Sequence, residues 1–140
     1  MSIKTIIILA VLAAVILLCV SCATKFSKNG SKAVATFPNV NVDEFQTLIA
    51  DPSVQLLDVR AREEYDEGHI AGAILVDVNE SDFVERAVAV LDKQRPVAVY
   101  CRSGRRSARA ANLLVEQGYQ VTNLSGGVIA WQDAGKALVQ

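Results

Sequence analysis

Apolar and polar positions along this chain keep two alternating rhythms. Short apolar, β-prone runs are separated by stretches in which apolar residues recur at helical spacing. Asn41 is a good N-cap with Glu44 three residues on, in capping-box spacing, and Phe45, Leu48 and Ile49 give the helix one apolar face before Asp51-Pro52 ends it. Residues 54–59 (Val-Gln-Leu-Leu-Asp-Val) read as a strand emptying into Asp58. Arg62 to Glu67 reads as a short charged helix closed by Gly68, and Ala73-Ile74-Leu75-Val76 as a second strand. Phe83, Ala87, Val90 and Leu91 are spaced for a further helix. Pro96 precedes the strand Val97-Ala98-Val99-Tyr100; Ala108, Ala111, Leu114 and Val115 then mark a helix that stops at Gly118, a C-cap glycine. Tyr119 to Leu124 resumes a strand, Gly126-Gly127 turns, and Val128 to Ala134 starts a last helix around Trp131. There are no internal repeats. Strands alternating with helices predict an α/β fold: a mainly parallel sheet of about five strands with helices on both faces.

The first residues break this pattern. Ile6 to Val20 is an unbroken run of 15 apolar residues, preceded by Lys4 and followed by Ser21-Cys22-Ala23. A membrane span needs roughly 20 such residues, so positive start, apolar core and small flank fit an export signal over residues 1–21. The alternative is an uncleaved anchor. Val20-Ser21-Cys22 resembles a bacterial lipoprotein signal, in which Cys22 becomes the lipidated first residue, although Cys19 stands where that motif usually has Leu. Cleavage after Ala23 would instead release a soluble periplasmic protein. Lipidation predicts a protein of the bacterial cell envelope, facing the periplasm and held on a membrane surface by its lipid alone. Residues 22–37, small, polar and basic with Asn29-Gly30 as a turn signal, read as a tether carrying a short strand near Val34 to Phe37. The domain proper is expected over residues 38–140.

The length of 140 residues suits one domain. Loss of residues 1–21 removes one lysine and no acid, leaving a mildly acidic mature chain that does not point to nucleic acid. Of the three cysteines, Cys19 lies in the expected signal and Cys22 is either lipidated or removed, so Cys101 would be the sole remaining thiol and an internal disulfide is excluded. Nothing points to a metal or an organic cofactor.

Cys101 falls where a strand ends and a helix begins, the crevice in which parallel α/β sheets bind ligands. Arg102, Arg105, Arg106 and Arg109 crowd around it. The thiolate is the nucleophile, and a helix N-terminus and neighbouring cations lower a thiol's pKa. Gly104 permits positive φ, so successive amides can turn inward as an anion nest. Arg102, Arg105 and Arg106 offer forked donors to an oxyanion such as thiosulfate or phosphate. The lone histidine, His69, is 32 residues upstream, which disfavours a Cys–His hydrolase.

The segment Tyr100-Cys101-Arg102-Ser103-Gly104-Arg105-Arg106-Ser107, with Ala110-Ala111, Leu114, Gly118-Tyr119, Asn123-Leu124, Gly126-Gly127 and Ala130-Trp131, resembles the rhodanese-like sulfurtransferases. So does Leu57-Asp58-Val59-Arg60 with Glu63-Glu64-Tyr65, Gly68-His69-Ile70 and Gly72-Ala73. The resemblance implies a rhodanese-like fold and a catalytic Cys101 that takes the outer sulfur of thiosulfate as a persulfide, then yields it to a thiol acceptor, which could be a protein, or to cyanide. It also implies that the backbone from Arg102 through Ser103, Gly104 and Arg105 to Arg106 wraps the sulfur, while arginine side chains help hold the donor.

The rivals are a phosphatase or arsenate reductase, and a non-catalytic persulfide carrier. Tyrosine phosphatases use Cys-x5-Arg; here the arginine is Arg106 and the spacing Cys-x4-Arg, a shorter loop suited to a single sulfur atom. Cys101 as a small buried hydrophobe is the bland alternative. Asp58 and Arg60 could flank the pocket but are expected to pair with polar groups such as Glu64 and fix the loop. His69 is expected to be structural, Trp131 and Tyr119 core, and Arg62 to Glu67 a solvated face.

Overall fold

A computed structural model describes residues 36–140. The expected signal, Cys19, Cys22 and all of the tether before Thr36 lie outside the described residues. Ten elements follow: β1 (Asn39–Val40), α1 (Val42–Ile49), β2 (Gln55–Asp58), α2 (Arg62–Glu67), β3 (Ile74–Leu75), α3 (Phe83–Val90), β4 (Val97–Tyr100), α4 (Arg105–Glu116), β5 (Val121–Leu124) and α5 (Gly127–Asp133). The capping box forms at α1, with Asn41 Oδ1 accepting from the Glu44 amide at 3.0 Å and Glu44 Oε2 accepting from the Asn41 amide at 3.1 Å.

The five strands make one parallel sheet in the order β1-β5-β4-β2-β3. β4 lies in the middle, with Val99 opposite Leu57 on one side and Asn123 on the other. Every residue of β2 and β4 is buried, as expected of parallel strands covered on both faces. Side chains alternate along β4. Val97, Val99 and Cys101 join the core under α3 and α4, with Phe83, Ala87, Ala110, Ala111 and Leu114. Ala98 and Tyr100 join the opposite core under α1 and α5, with Phe45, Val128 and Trp131. Trp131 and Tyr119 are core, as expected.

One strand differs from the sequence reading. β1 is Asn39–Val40; of the strand expected near Val34 to Phe37, Thr36 and Phe37 are not in a strand, and Val34 and Ala35 lie outside the described residues. At the β5 edge Asn39 and Val40 register with Asn123 and Leu124, and the Pro38 carbonyl accepts from the Asn123 amide at 2.9 Å. Phe37 packs against the α3/α4 core from outside the strand.

The α5 turn sets how closely the sheet's carboxyl edge can be approached. Gly127 has φ +57°, and a Cβ on it would strike the Cys101 carbonyl oxygen and come within 2.6 Å of the Arg102 carbonyl. Gly72 also has positive φ, +84°, but its Cβ would meet nothing. Gly127→Ala should therefore cost at least about 3 kcal/mol in urea unfolding, and Gly72→Ala only the left-handed strain of about 1–2 kcal/mol. Equal losses would mean that the turn can retreat from the loop.

Candidate active site

β4 delivers Cys101 to the carboxyl edge of the sheet, and the next three residues turn the chain into α4. Gly104 makes this turn with φ +92°. Two backbone hydrogen bonds fix the loop from behind: the Val128 amide donates to the Cys101 carbonyl at 2.9 Å and the Ile129 amide to the Arg102 carbonyl at 3.2 Å. In a planar trans peptide, carbonyl and following N–H point opposite ways. With these carbonyls tied to α5, the following amides face away from α5, into the loop.

Cys101 Sγ sits inside that turn. It accepts from the Gly104 amide at 3.1 Å and from the Ser107 hydroxyl at 3.3 Å. Both Cys101 and Ser107 are 0% exposed. Burial alone would suit a core cysteine, but the atoms touching this sulfur are N–H and O–H groups. Burial pushes the thiol's pKa up; hydrogen bonds from the Ser107 hydroxyl and from the Ser107, Ser103 and Gly104 amides outweigh it, and the net shift is downward. The leading stabilisers of the thiolate are therefore hydrogen bonds, where the sequence pointed also to arginine charge.

The arginines divide. Arg106 places both terminal nitrogens on Glu64, at 2.7 Å each. Arg109 donates to the Val78 carbonyl and to Asn79 Oδ1, fastening α4 to the chain after β3. Arg102 and Arg105 are exposed, with no side-chain hydrogen bond among the described residues. Ser103 is also exposed. Two open spaces adjoin the loop. A cavity of about 300 Å³ is lined by Arg60, Glu64, Glu67, Arg102, Ile129 and Leu138, among others; a groove of about 440 Å³ is lined by Ser103, Arg105, Arg106 and Arg109.

Asp58 and Arg60 form a buried pair with each other. Arg60 Nε lies 3.0 Å from both carboxylate oxygens and Nη2 2.6 Å from Oδ2, and Nη2 also donates to the Gly68 carbonyl at 2.8 Å. Burial works against the Arg60 charge, the Asp58 hydrogen bond and charge outweigh it, and the pKa moves up. The Tyr100 hydroxyl accepts from the Ile70 amide at 3.0 Å, and burial, then the Asp58 charge, push its pKa up. The sequence offered Glu64 as a partner for this pair; the structure gives Glu64 to Arg106, because Asp58, two residues from Arg60, already takes its fork. Glu64 also leaves the otherwise solvated face of α2 for that reason. His69 is structural, its Nδ1 3.1 Å from the Tyr65 carbonyl and its ring stacked on Tyr65 at 3.7 Å.

Sequence reading passed over Ser107 and Glu64 as site residues. Ser107 is the third residue of α4, where a side chain can face back toward the strand end, and that position was the signal available. Nothing local marks Glu64, because its partner is 42 residues away.

The Rhodanese-like domain model matches residues 41–134. The chain is 35% identical over 103 residues to the thiosulfate sulfurtransferase GlpE of Shewanella oneidensis, covering 72% of this chain and 98% of that protein. It is 37% identical over 95 residues to a sulfurtransferase of Allochromatium vinosum, covering 67% and 86%. The solution structure of a rhodanese-like domain from Anabaena superposes with a TM-score of 0.65 at 32% identity, covering 74% of this chain and 80% of that one.

Ser107→Ala removes a sulfur ligand and leaves an apolar fit. The pH inflection for alkylation of Cys101 by iodoacetamide should rise by about one unit, the worth of one hydrogen bond to a charged group. The depressed native pKa favours folding above the free-thiol value of about 8.5, and that increment is lost as pH falls through the native pKa. Ser107→Ala should shrink this pH dependence of unfolding, and an unmoved inflection would remove the hydroxyl from thiolate stabilisation.

Proposed function

This chain belongs to the rhodanese-like domain family, and from that membership we propose that it moves sulfane sulfur from thiosulfate or a related donor to a thiol or cyanide acceptor through a Cys101 persulfide. The observation that carries the reading is the sulfur cradle: Sγ faces the Gly104 amide and the Ser107 hydroxyl in a site where the thiol's pKa is lowered despite burial.

In the first half-reaction the Cys101 thiolate attacks the outer sulfur of thiosulfate. The new Cys101 S–S bond forms as the bond to the sulfonate sulfur breaks, and sulfite leaves with that electron pair. In the second, an acceptor thiolate attacks the terminal sulfur of the persulfide and Cys101 leaves as a thiolate. The lowered thiol pKa lessens the need for a general base, because the thiolate form has no proton to give up. Amides and hydroxyl that stabilise the thiolate suit the persulfide anion as well. Exposed Arg102 and Arg105 are the arms available to the donor's oxygens.

Phosphoryl transfer is less well supported. Position 107, where the phosphatase pattern has its clamping arginine, holds a buried serine bonded to the sulfur, and Arg106 has its fork on Glu64.

Intact-mass measurement after thiosulfate treatment should show one added sulfur in the wild type and none in Cys101→Ser. Turnover of a phosphate ester or arsenate without the adduct would overturn the reading, and an adduct that no thiol acceptor removes would make the protein a carrier. Arg102→Gln and Arg105→Gln should each raise the thiosulfate KM about tenfold, the scale of one charged hydrogen bond. Unchanged kinetics in both would leave the backbone as the sole anion site.

The amino-terminal pattern supports export and anchoring through a lipidated Cys22 as part of the same proposal. Fatty-acid label incorporated by the wild type should disappear in Cys22→Ala; no label in the wild type would support the soluble form.

A further inference from the structure

Asn123 shares one face of β5 with Val121, a residue of the core under α3 and α4, and is itself 2% exposed. Its backbone amide is already bonded to the Pro38 carbonyl at 2.9 Å, so strand pairing does not require a polar side chain there. An apolar residue would suit the position, and asparagine is depleted in strands. The side chain is also half satisfied. Nδ2 donates to Asn39 Oδ1 at 2.7 Å and to the Gly104 carbonyl at 3.4 Å, whereas Oδ1 is buried with no hydrogen-bond partner among the described residues. A buried, unpaired oxygen costs stability, and local rules of this kind are broken mainly at functional sites. One of the two Nδ2 contacts is the residue whose amide lies 3.1 Å from Cys101 Sγ. Gly104 also seats on the end of β5 by its backbone, because a Cβ on it would lie 3.2 Å from the Leu124 carbonyl oxygen.

We propose that Asn123 is a positioning residue that ties Gly104 to the end of β5 and so keeps the Gly104 amide on the Cys101 sulfur. The inference rests on Cys101 being the sulfur-transferring group. Gly104 is the residue at which the loop turns into α4, with φ +92°, and its carbonyl also accepts from the Ala108 amide at 3.1 Å, a bond within its own helix. The Asn123 contact joins it to the sheet instead. Val128 and Ile129 hold the carbonyls of Cys101 and Arg102, and Asn123 reaches that of Gly104. Asn39 sets which way the amide faces: it stands opposite Asn123 in the β1–β5 register, and its Oδ1 accepts one N–H while the second turns to Gly104.

The test is the pH profile of Cys101 alkylation by iodoacetamide, with no sulfur donor present, for the wild type, Asn123→Leu and Asn39→Ala. Asn123→Leu keeps the branched outline, removes the unpaired oxygen and leaves every charge around the site in place. Those charges are Arg102, Arg105 and Arg106 on the loop and α4, Glu64 on α2, and Asp58 and Arg60 at and after the end of β2. A shift in Asn123→Leu therefore cannot come from altered charge. The inflection should rise by about half a unit, a fraction of what loss of one hydrogen bond to a charged group gives. Asn39→Ala should move it less, because the N–H on Gly104 stays. A purely structural asparagine would lower the urea midpoint of Asn123→Leu without moving the inflection. An unmoved or lowered inflection in Asn123→Leu, or an equal rise in Asn39→Ala, overturns the role. Should Asn123→Leu not fold, Asn123→Ala, which also lacks the donor, should give the same upward shift. The sulfur-adduct mass of the wild type is read in parallel: its absence sinks the transfer reading, whereas an adduct with an unmoved inflection in the variant sinks only the Asn123 role.

Discussion

The backbone contact between the α5 turn and the Cys101 loop is the constraint on which the site depends. Val128 and Ile129 use the free N–H groups of their helix start to hold the carbonyls of Cys101 and Arg102. That orientation leaves the Ser103 amide free to act on the sulfur, and it is possible only because residue 127 has no side chain. Gly104 and Gly126 complete the fit, since a Cβ on Gly104 would lie 3.2 Å from the Gly126 nitrogen. The polarity around Sγ is therefore set by backbone packing between two helix starts, and side-chain charge is added outside it.

A second constraint fixes the opposite wall. Asp58 at the end of β2 and Arg60 beyond it form a buried pair whose remaining donor ties down the Gly68 carbonyl, while Tyr100 at the end of β4 holds the Ile70 amide. Buried ion pairs add little net stability but cost about 3–5 kcal/mol when one partner is lost. Their use here is geometric. They fix the segment running from α2 toward β3, and α2 carries Glu64. The loop thus has one wall set by peptide packing and another set by charge pairing, joined through Glu64 and Arg106.

Much of this was legible in the residues because periodicity reports burial. The four buried residues of β4, the α1 capping box, the charged α2 and the glycine after α4 all follow from local pattern. The sulfur site was legible as a strand-to-helix cysteine beside a glycine, since those features are contiguous. What stayed hidden is pairwise and distant. Arg106 reads as a donor arm until the fold brings Glu64 to it, and Gly127 reads as a simple turn until Arg102 is seen to lie against it. β1 was not anticipated, because a two-residue edge strand is selected by its pairing with β5 and not by its own composition.

The same comparison changes what the arginines mean. A buried thiolate among arginines invites an account in which cations pay for the charge. Yet burial is the largest single effect and opposes the charge, and it is hydrogen bonds that together outweigh it, amides and a hydroxyl acting on one atom. Under the proposed function, a cradle of that kind would suit an anion centred on a single sulfur, and its amides and hydroxyl make no forked clamp for a tetrahedral group. Cations outside the cradle can then act on the rest of a ligand, such as the oxygens of a sulfonate, without deciding what sits at its centre. Selectivity for sulfur would thus arise from backbone geometry, and the arginine-rich sequence that first draws attention to the loop would govern how a donor is gathered more than what is transferred.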